Sequence, residues 1–176
     1  MSIIRSFPPI VDANATILIL GSMPGVMSLQ QQQYYAHPRN AFWPIVAEIA
    51  GFDRAAPYAV RIDRLRQSGI ALWDVLHACL REGSLDADIQ KDSIVPNNFA
   101  DFFIAQPRIR RVFFNGAKAE AVYRQQVLPL LAQREIERDD ILYSHLQYTR
   151  LPSTSPAHAA MSRPLKLAAW RAIAMR

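Results

Sequence analysis

Residues Thr16-Ile17-Leu18-Ile19-Leu20 form an unbroken apolar run that stops at the turn Gly21-Ser22-Met23-Pro24-Gly25. Such a run, β-branched in part and closed by glycine and proline, reads as a buried strand. A glycine at each end of a proline-containing turn lets the backbone bend sharply and lie against a ligand, where a Cβ would interfere. Three more segments have strand character: Ile70–Trp73, Val112–Phe114 and Tyr148–Leu151. Between them lie helix-like pieces: 42–50, ending at Gly51; 58–67, ending at Gly69; 98–106, capped by Asn98; 117–132, which Pro129 should bend or interrupt; and 163–174, with Ser162 as N-cap and Pro164 in the first turn. Strands alternating with helices pair in parallel through right-handed crossovers, so the chain is expected to be an α/β layered sheet. Ligands bind such sheets beyond the carboxyl ends of the strands. There stand Gly21–Gly25, Asp74, Asn115-Gly116 and Ser153–Ser155, so the loops of chemical character fall on one edge.

Length fits one domain over residues 1–176, and 51% apolar residues are too many for a disordered chain. No run approaches a membrane span, and residues 1–10 lack the long apolar stretch and cleavage site of a signal peptide. A cytoplasmic protein with no membrane partner is expected. Cys79, the lone cysteine, excludes intrachain disulfides and a four-cysteine cluster. A net charge of +5 and a pI near 9.7 fit a polyanionic partner, since each cation placed on a phosphate releases condensed counterions. Arginine dominates, with Lys91, Lys118 and Lys166 the only lysines.

Two further clusters narrow the chemistry: His37-Pro38-Arg39-Asn40-Ala41-Phe42-Trp43 and Leu151-Pro152-Ser153-Thr154-Ser155-Pro156. Together with the first turn they resemble the signature segments of the uracil-DNA glycosylase superfamily, and among its branches the hypoxanthine-DNA (deoxyinosine) glycosylases. The resemblance runs from the first strand to the last helix in the right order. It implies a three-layer α/β/α fold with a central four-stranded parallel sheet, no cofactor and no metal. It also implies DNA carrying a damaged base, double- or single-stranded, as the partner of a monomeric enzyme.

The chain departs from other branches in telling places. Met23 stands where the uracil-specific branch has its water-activating aspartate, and the asparagine that the mismatch-specific branch carries in this turn is missing too. Leu151 replaces the usual histidine of the late loop. Asn40 occupies the place of the asparagine implicated in the deoxyinosine branch, so the resemblance makes it the residue that positions water. An N-glycosidic bond breaks through a cation-like sugar, so water needs orientation more than deprotonation. The competing reading of Asn40 is a cap for the helix that follows.

Phe42 resembles the aromatic platform for an extruded base, with Trp43 packed behind it; the alternative is a core phenylalanine. Gly21, Ser22, Met23 and Gly25 are expected to shape the pocket floor. Asp74 falls where relatives carry a base-reading asparagine. An ionised carboxylate only accepts, so it would take N1–H of hypoxanthine or N3–H of uracil and reject adenine. The alternative is a cap for a helix over 75–80. Ser153, Thr154 and Ser155 suit phosphates flanking a flipped nucleotide, and Pro156, Ala157 and His158 lie where a wedge would enter the duplex. Arg39, Arg61, Arg64 and Arg163 are candidate phosphate contacts, although a solvated helix face explains the middle two. Asn115 reads as a turn residue, and Tyr34-Tyr35 either wall the pocket or pack.

These readings converge on a monofunctional glycosylase that removes a deaminated base, hypoxanthine foremost. No lysine in the recognised segments is placed for a Schiff base. Uracil or mismatched thymine as substrate, a nucleotide-binding module and a noncatalytic damage binder are the competitors. The module is disfavoured because the first turn has neither G-x-G-x-x-G nor G-x-x-x-x-G-K-[ST].

Overall fold

A computed structural model describes residues 3–138 and 143–175. Its centre is a parallel sheet of β2 (Ile17–Gly21), β3 (Ile70–Asp74), β6 (Arg111–Asn115) and β7 (Gln147–Leu151), in the order β3-β2-β6-β7. All four predicted strands are present, shifted by no more than a residue at either end. β2 and β3 are buried along their whole length. Their side chains alternate between two cores, as strand geometry requires. Ile17, Ile19, Ile70, Leu72 and Phe113 pack into one, with Phe42, Trp43 and Trp170. Leu18, Leu20, Ala71, Trp73, Val112 and Phe114 pack into the other, with Phe99, Phe102 and Tyr123.

The first core is covered by α2 (Phe42–Ala50), α3 (Tyr58–Gln67) and α7 (Arg163–Trp170). The second is covered by α4 (Phe99–Ala105), α5 (Ala117–Val122) and α6 (Leu128–Glu137). The result is the three-layer α/β/α arrangement. A short α1 (Val26–Gln31), which the sequence pattern did not announce, follows the first turn. α2 and α3 coincide with the predicted spans, and Asn98 caps α4 by accepting the amide of Asp101 at 3.2 Å. The long helix over 117–132 is interrupted as expected. Pro129 has no N–H to give, and the chain makes one π-helical turn over Tyr123–Val127 before α6 resumes with Pro129 in its first turn.

A second sheet was not anticipated. β1 (Ile3–Arg5), β4 (Leu76–Leu80) and β5 (Val95–Pro96) pair antiparallel in the order β1-β4-β5. It corrects one alternative: 76–80 is strand, so Asp74 caps no helix there. In the parallel sheet the chain steps outward from β2 to β3, then returns across β2 to β6 and β7. The strand order therefore reverses between β2 and β6, and a crevice opens beyond their carboxyl ends.

Candidate active site

A cavity of about 340 Å³ occupies that crevice. The first turn lines it from Gly21 to Gly25, Asp74 from the end of β3, Asn115 from the end of β6, and the late loop from Ser153 to His158. Tyr34, Tyr35, His37 and Asn40 enter from the segment before α2. The four strand-end positions expected on one edge thus surround one space.

Asp74 is the most constrained of these groups. It is the register partner of Gly21, and a Cβ on Gly21 would collide with Asp74 Oδ1 and stand 2.9 Å from the Tyr35 hydroxyl. The backbone around it is pinned, because Asn97 Nδ2 donates to the Asp74 carbonyl at 2.8 Å and the Val75 amide to the Gly21 carbonyl at 2.8 Å. The carboxyl is 3% exposed, and its Oδ2 has no hydrogen-bond partner. Burial, reinforced by the negative charge of Asp86 and opposed by Arg81, pushes its pKa up to about 8. Burial therefore favours the neutral carboxyl, which presents one acceptor and one donor, as an asparagine would, where the ionised group of the sequence reading only accepts; the neutral form does not discriminate against adenine.

Tyr35 carries the second orphan, since its buried hydroxyl makes no hydrogen bond of good geometry, although the Asn115 side chain lies near enough to hold its pKa down. Its backbone sits at φ 54°, a left-handed conformation unusual for an aromatic residue. Burial and the nearby Asp74 both raise its pKa. Its ring stacks on Phe42 at 4.1 Å between centroids and 25° between planes. Phe42 is fully buried and does not border the cavity; the aromatic wall is Tyr35, with Phe42 beneath it. Trp43 lies edge-on to Phe42 at 5.1 Å and donates its Nε1–H to the Tyr34 carbonyl at 2.8 Å.

Asn40 borders the cavity and stands one residue before Ala41, the N-cap of α2, so the capping reading holds only as a neighbouring Asx-type bond. Its Oδ1 accepts the Phe42 amide at 3.0 Å at the start of α2. That bond fixes the side-chain amide while leaving a second lone pair and the NH₂ group unused. The next residue ties two motifs together, the Ala41 amide donating to the Thr154 carbonyl at 3.0 Å.

Thr154 is 1% exposed and is clamped by Asn115, whose Oδ1 accepts its amide and whose Nδ2 donates to its Oγ1, both at 2.8 Å. Thr154 is thus a structural post, with its side chain turned away from the phosphate-gripping role expected, and Asn115, expected as a turn residue, is its anchor. Gly116, at φ 99°, lets the loop close in, since a Cβ there would stand 2.9 Å from Ser153 Cβ. Ser153 and Ser155 accept amides two residues on through their hydroxyl oxygens, at 3.2 Å each, so both keep an O–H to donate.

Sequence reasoning missed the segment after β4. Ser84, Leu85 and Asp86 close one side of the cavity. Ser22 Oγ donates to Asp86 Oδ1 at 2.6 Å, and the Val26 amide to Ser84 Oγ at 2.9 Å. Arg81, 4% exposed, donates to the carbonyls of Gly83 and Pro24 and so ties this segment to the first turn. Burial raises the pKa of Asp86, while Ser22, Arg81 and Lys118 hold it back. The cavity thus holds two carboxyl groups where one had been read.

The Uracil DNA glycosylase superfamily model matches residues 8–174. The chain belongs to this superfamily. Two relatives, from Methanosarcina barkeri and Methanosarcina acetivorans, each named hypoxanthine DNA glycosylase, are 41% identical over 116 residues, which is 65% of this chain and 72% of theirs. The solution NMR structure of a candidate uracil DNA glycosylase from Methanosarcina acetivorans superposes with a TM-score of 0.74 at 34% identity, covering 99% of this chain and 100% of that one.

Against the expectations for a superfamily member, Gly21, Ser22, Met23, Gly25, Asn40, Asp74, Ser153, Thr154, Ser155, Pro156, Ala157 and His158 all border this one cavity. Phe42 stands behind it, and Arg39 in a neighbouring cleft. Arg61 and Arg64 do not reach it. Arg61 lies 4.6 Å over the Trp43 ring and bonds the Ala56 carbonyl, and Arg64 bonds Gln67. Among the described residues no group of three His, Cys, Asp or Glu side chains is placed to hold a metal ion, and no helix is long and apolar enough to cross a membrane.

Proposed function

We propose that this superfamily member is a monofunctional DNA glycosylase whose cavity takes an extruded hypoxanthine and releases it by hydrolysis of the N-glycosyl bond in base excision repair. Membership makes DNA the substrate and a nucleobase the group released. Relatives named hypoxanthine DNA glycosylase support hypoxanthine, and the pair of orphaned buried atoms, Asp74 Oδ2 and Tyr35 Oη, set around the bare backbone of Gly21, supports a base edge with a donor beside an acceptor. Each leaves unmade a hydrogen bond whose loss costs about 1–3 kcal/mol, so a ligand that supplies the partner recovers it.

A base reaches such a cavity only by leaving the duplex stack, and it is then read on its Watson–Crick edge. Hypoxanthine presents N1–H beside O6. A neutral Asp74 matches both atoms, accepting from N1–H with one oxygen and donating its own O–H to O6. Tyr35 supplies the wall, backed by Phe42 and Trp43. As the bond to C1′ lengthens, positive charge grows on the sugar and negative charge on the leaving base. The proton on Asp74 lies on the side where the base gathers charge. Asn40, held by its bond to Phe42, directs water at C1′ with its remaining lone pair. Ser153 and Ser155 donate their hydroxyls to phosphate oxygens, and the 156–158 turn enters the gap left by the flipped nucleotide. No lysine borders the cavity, which favours hydrolysis over a lyase step.

The experiment is alkali-dependent strand scission on labelled oligonucleotides, single- and double-stranded, each carrying one deoxyinosine, deoxyuridine, deoxyxanthosine or G·T mismatch. Scission foremost at deoxyinosine supports the reading. Scission foremost at deoxyuridine moves the enzyme to another branch, and binding without scission at any lesion overturns catalysis.

A further inference from the structure

Beside the base cavity lies a second cleft of about 350 Å³ that shares Asn40, Thr154, Ser155, Pro156 and His158 with it as a common wall. Its remaining lining includes Arg39, Arg54, Arg163 and Lys166, and no carboxylate. Arg54 comes from the turn after α2, a position to which sequence reasoning gave no role. Lys166, in the first turn of α7, is 5% exposed, and its Nζ donates to the His158 carbonyl at 2.8 Å. None of these four cations forms an ion pair among the described residues, whereas Arg66, Arg124, Arg134, Arg150 and Arg171 each do.

Four cations line one cleft without a carboxylate among them, and a buried ammonium held only by a carbonyl is short of counter-charge. Burial accordingly lowers the pKa of Lys166. An anion seated in the cleft removes both deficits.

We propose that this cleft is a phosphodiester site, in which Arg39, Arg54, Arg163 and Lys166 grip one backbone phosphate of the damaged strand next to the flipped nucleotide. The common wall sets the position: an anion in the cleft is separated from the base cavity only by Asn40 and the 154–158 segment. The inference rests on the glycosylase reading for its ligand, DNA.

The test measures binding to duplexes with a single deoxyinosine in which each nearby phosphate, one at a time, is replaced by an uncharged methylphosphonate. The wild type is expected to lose about tenfold in affinity at one phosphate adjacent to the lesion. The double variant Arg54→Gln, Arg163→Gln, changed only at exposed positions, is expected to lose clearly less than the wild type at that phosphate, since Arg39 and Lys166 remain, and to keep wild-type losses at the others. Its slope of log affinity against log salt should be shallower by up to about 0.9, since one phosphate is involved. An unchanged position profile, or an unchanged salt slope, overturns the proposal. Excision from the unmodified duplex is scored separately: its absence sinks the glycosylase reading, while the phosphate profile still judges the cleft.

Discussion

Gly21 and Asp74 face each other across the β2–β3 pairing, and the missing side chain of the glycine is the space in which the carboxyl lies. A methyl group at position 21 would have to push aside Asp74 Oδ1 and crowd the Tyr35 hydroxyl. Gly21→Ala is therefore expected to cost about 1–3 kcal/mol of stability through overpacking. It should cost about a hundredfold in kcat/KM on deoxyinosine, because the reading groups are displaced. Thermal denaturation and single-turnover excision measure the two; full activity in a folded variant would refute the crowding.

Asp74 also makes a pH prediction. Its folded pKa is raised to about 8, above the usual carboxylate value near 3.9 of the unfolded chain. Between these values the native chain holds a proton that the unfolded chain has released. Stability from this group is thus complete below the unfolded pKa and is lost as pH rises through about 8. Asp74→Asn removes that slope. For excision, kcat/KM of the wild type should fall above pH 8, while Asp74→Asn, which keeps one acceptor and one donor, stays level there.

Tyr35 is expected to show activity and stability moving in opposite directions. Removing its orphaned hydroxyl as Tyr35→Phe relieves a buried unsatisfied group, worth about 1 kcal/mol or more, so Tm should hold or rise. Activity on deoxyinosine should drop. Phe42→Ala, by contrast, removes the ring on which Tyr35 rests and should cost about 3–5 kcal/mol. Denaturant titration of both variants separates the reading group from its support.

Asn40 has two jobs that substitution can divide. Asn40→Ala loses the bond to the Phe42 amide and about 1 kcal/mol, as for a typical intramolecular hydrogen bond. Asn40→Ser retains an accepting oxygen and should keep stability. Both should lose about a hundredfold or more in single-turnover rate if the amide orients water. A serine variant with wild-type rate would leave Asn40 a structural residue only.

The parallel sheet and its edge were legible because the signals were local. Runs such as Ile17–Leu20 and Ile70–Trp73 are apolar and bounded by glycine or a polar residue, and α2 and α3 end at Gly51 and just before Gly69. The antiparallel sheet was not legible. β1 and β5 are too short to show a period, and Leu76–Leu80 fits a strand or a helix equally well by pattern. Asp86 was invisible for a different reason. It sits in a Gly- and Ser-containing stretch whose meaning comes from its bond to Ser22, 64 positions earlier. The charge state of Asp74 likewise depends on burial and on Asp86, neither of which a motif records. Phe42 was read as the platform from its motif, but the ring facing the cavity belongs to Tyr35, seven positions earlier, on a left-handed turn no pattern announced.

The most direct measurement is single-turnover release of hypoxanthine from a deoxyinosine duplex by the wild type, Asp74→Asn and Asp74→Leu, each shown to be folded. Hypoxanthine release by the wild type, retained in Asp74→Asn and reduced at least about a hundredfold in Asp74→Leu, is the predicted result. Leucine fills the same space without a polar atom, so release at the wild-type rate from Asp74→Leu would contradict the claim that Asp74 reads the base.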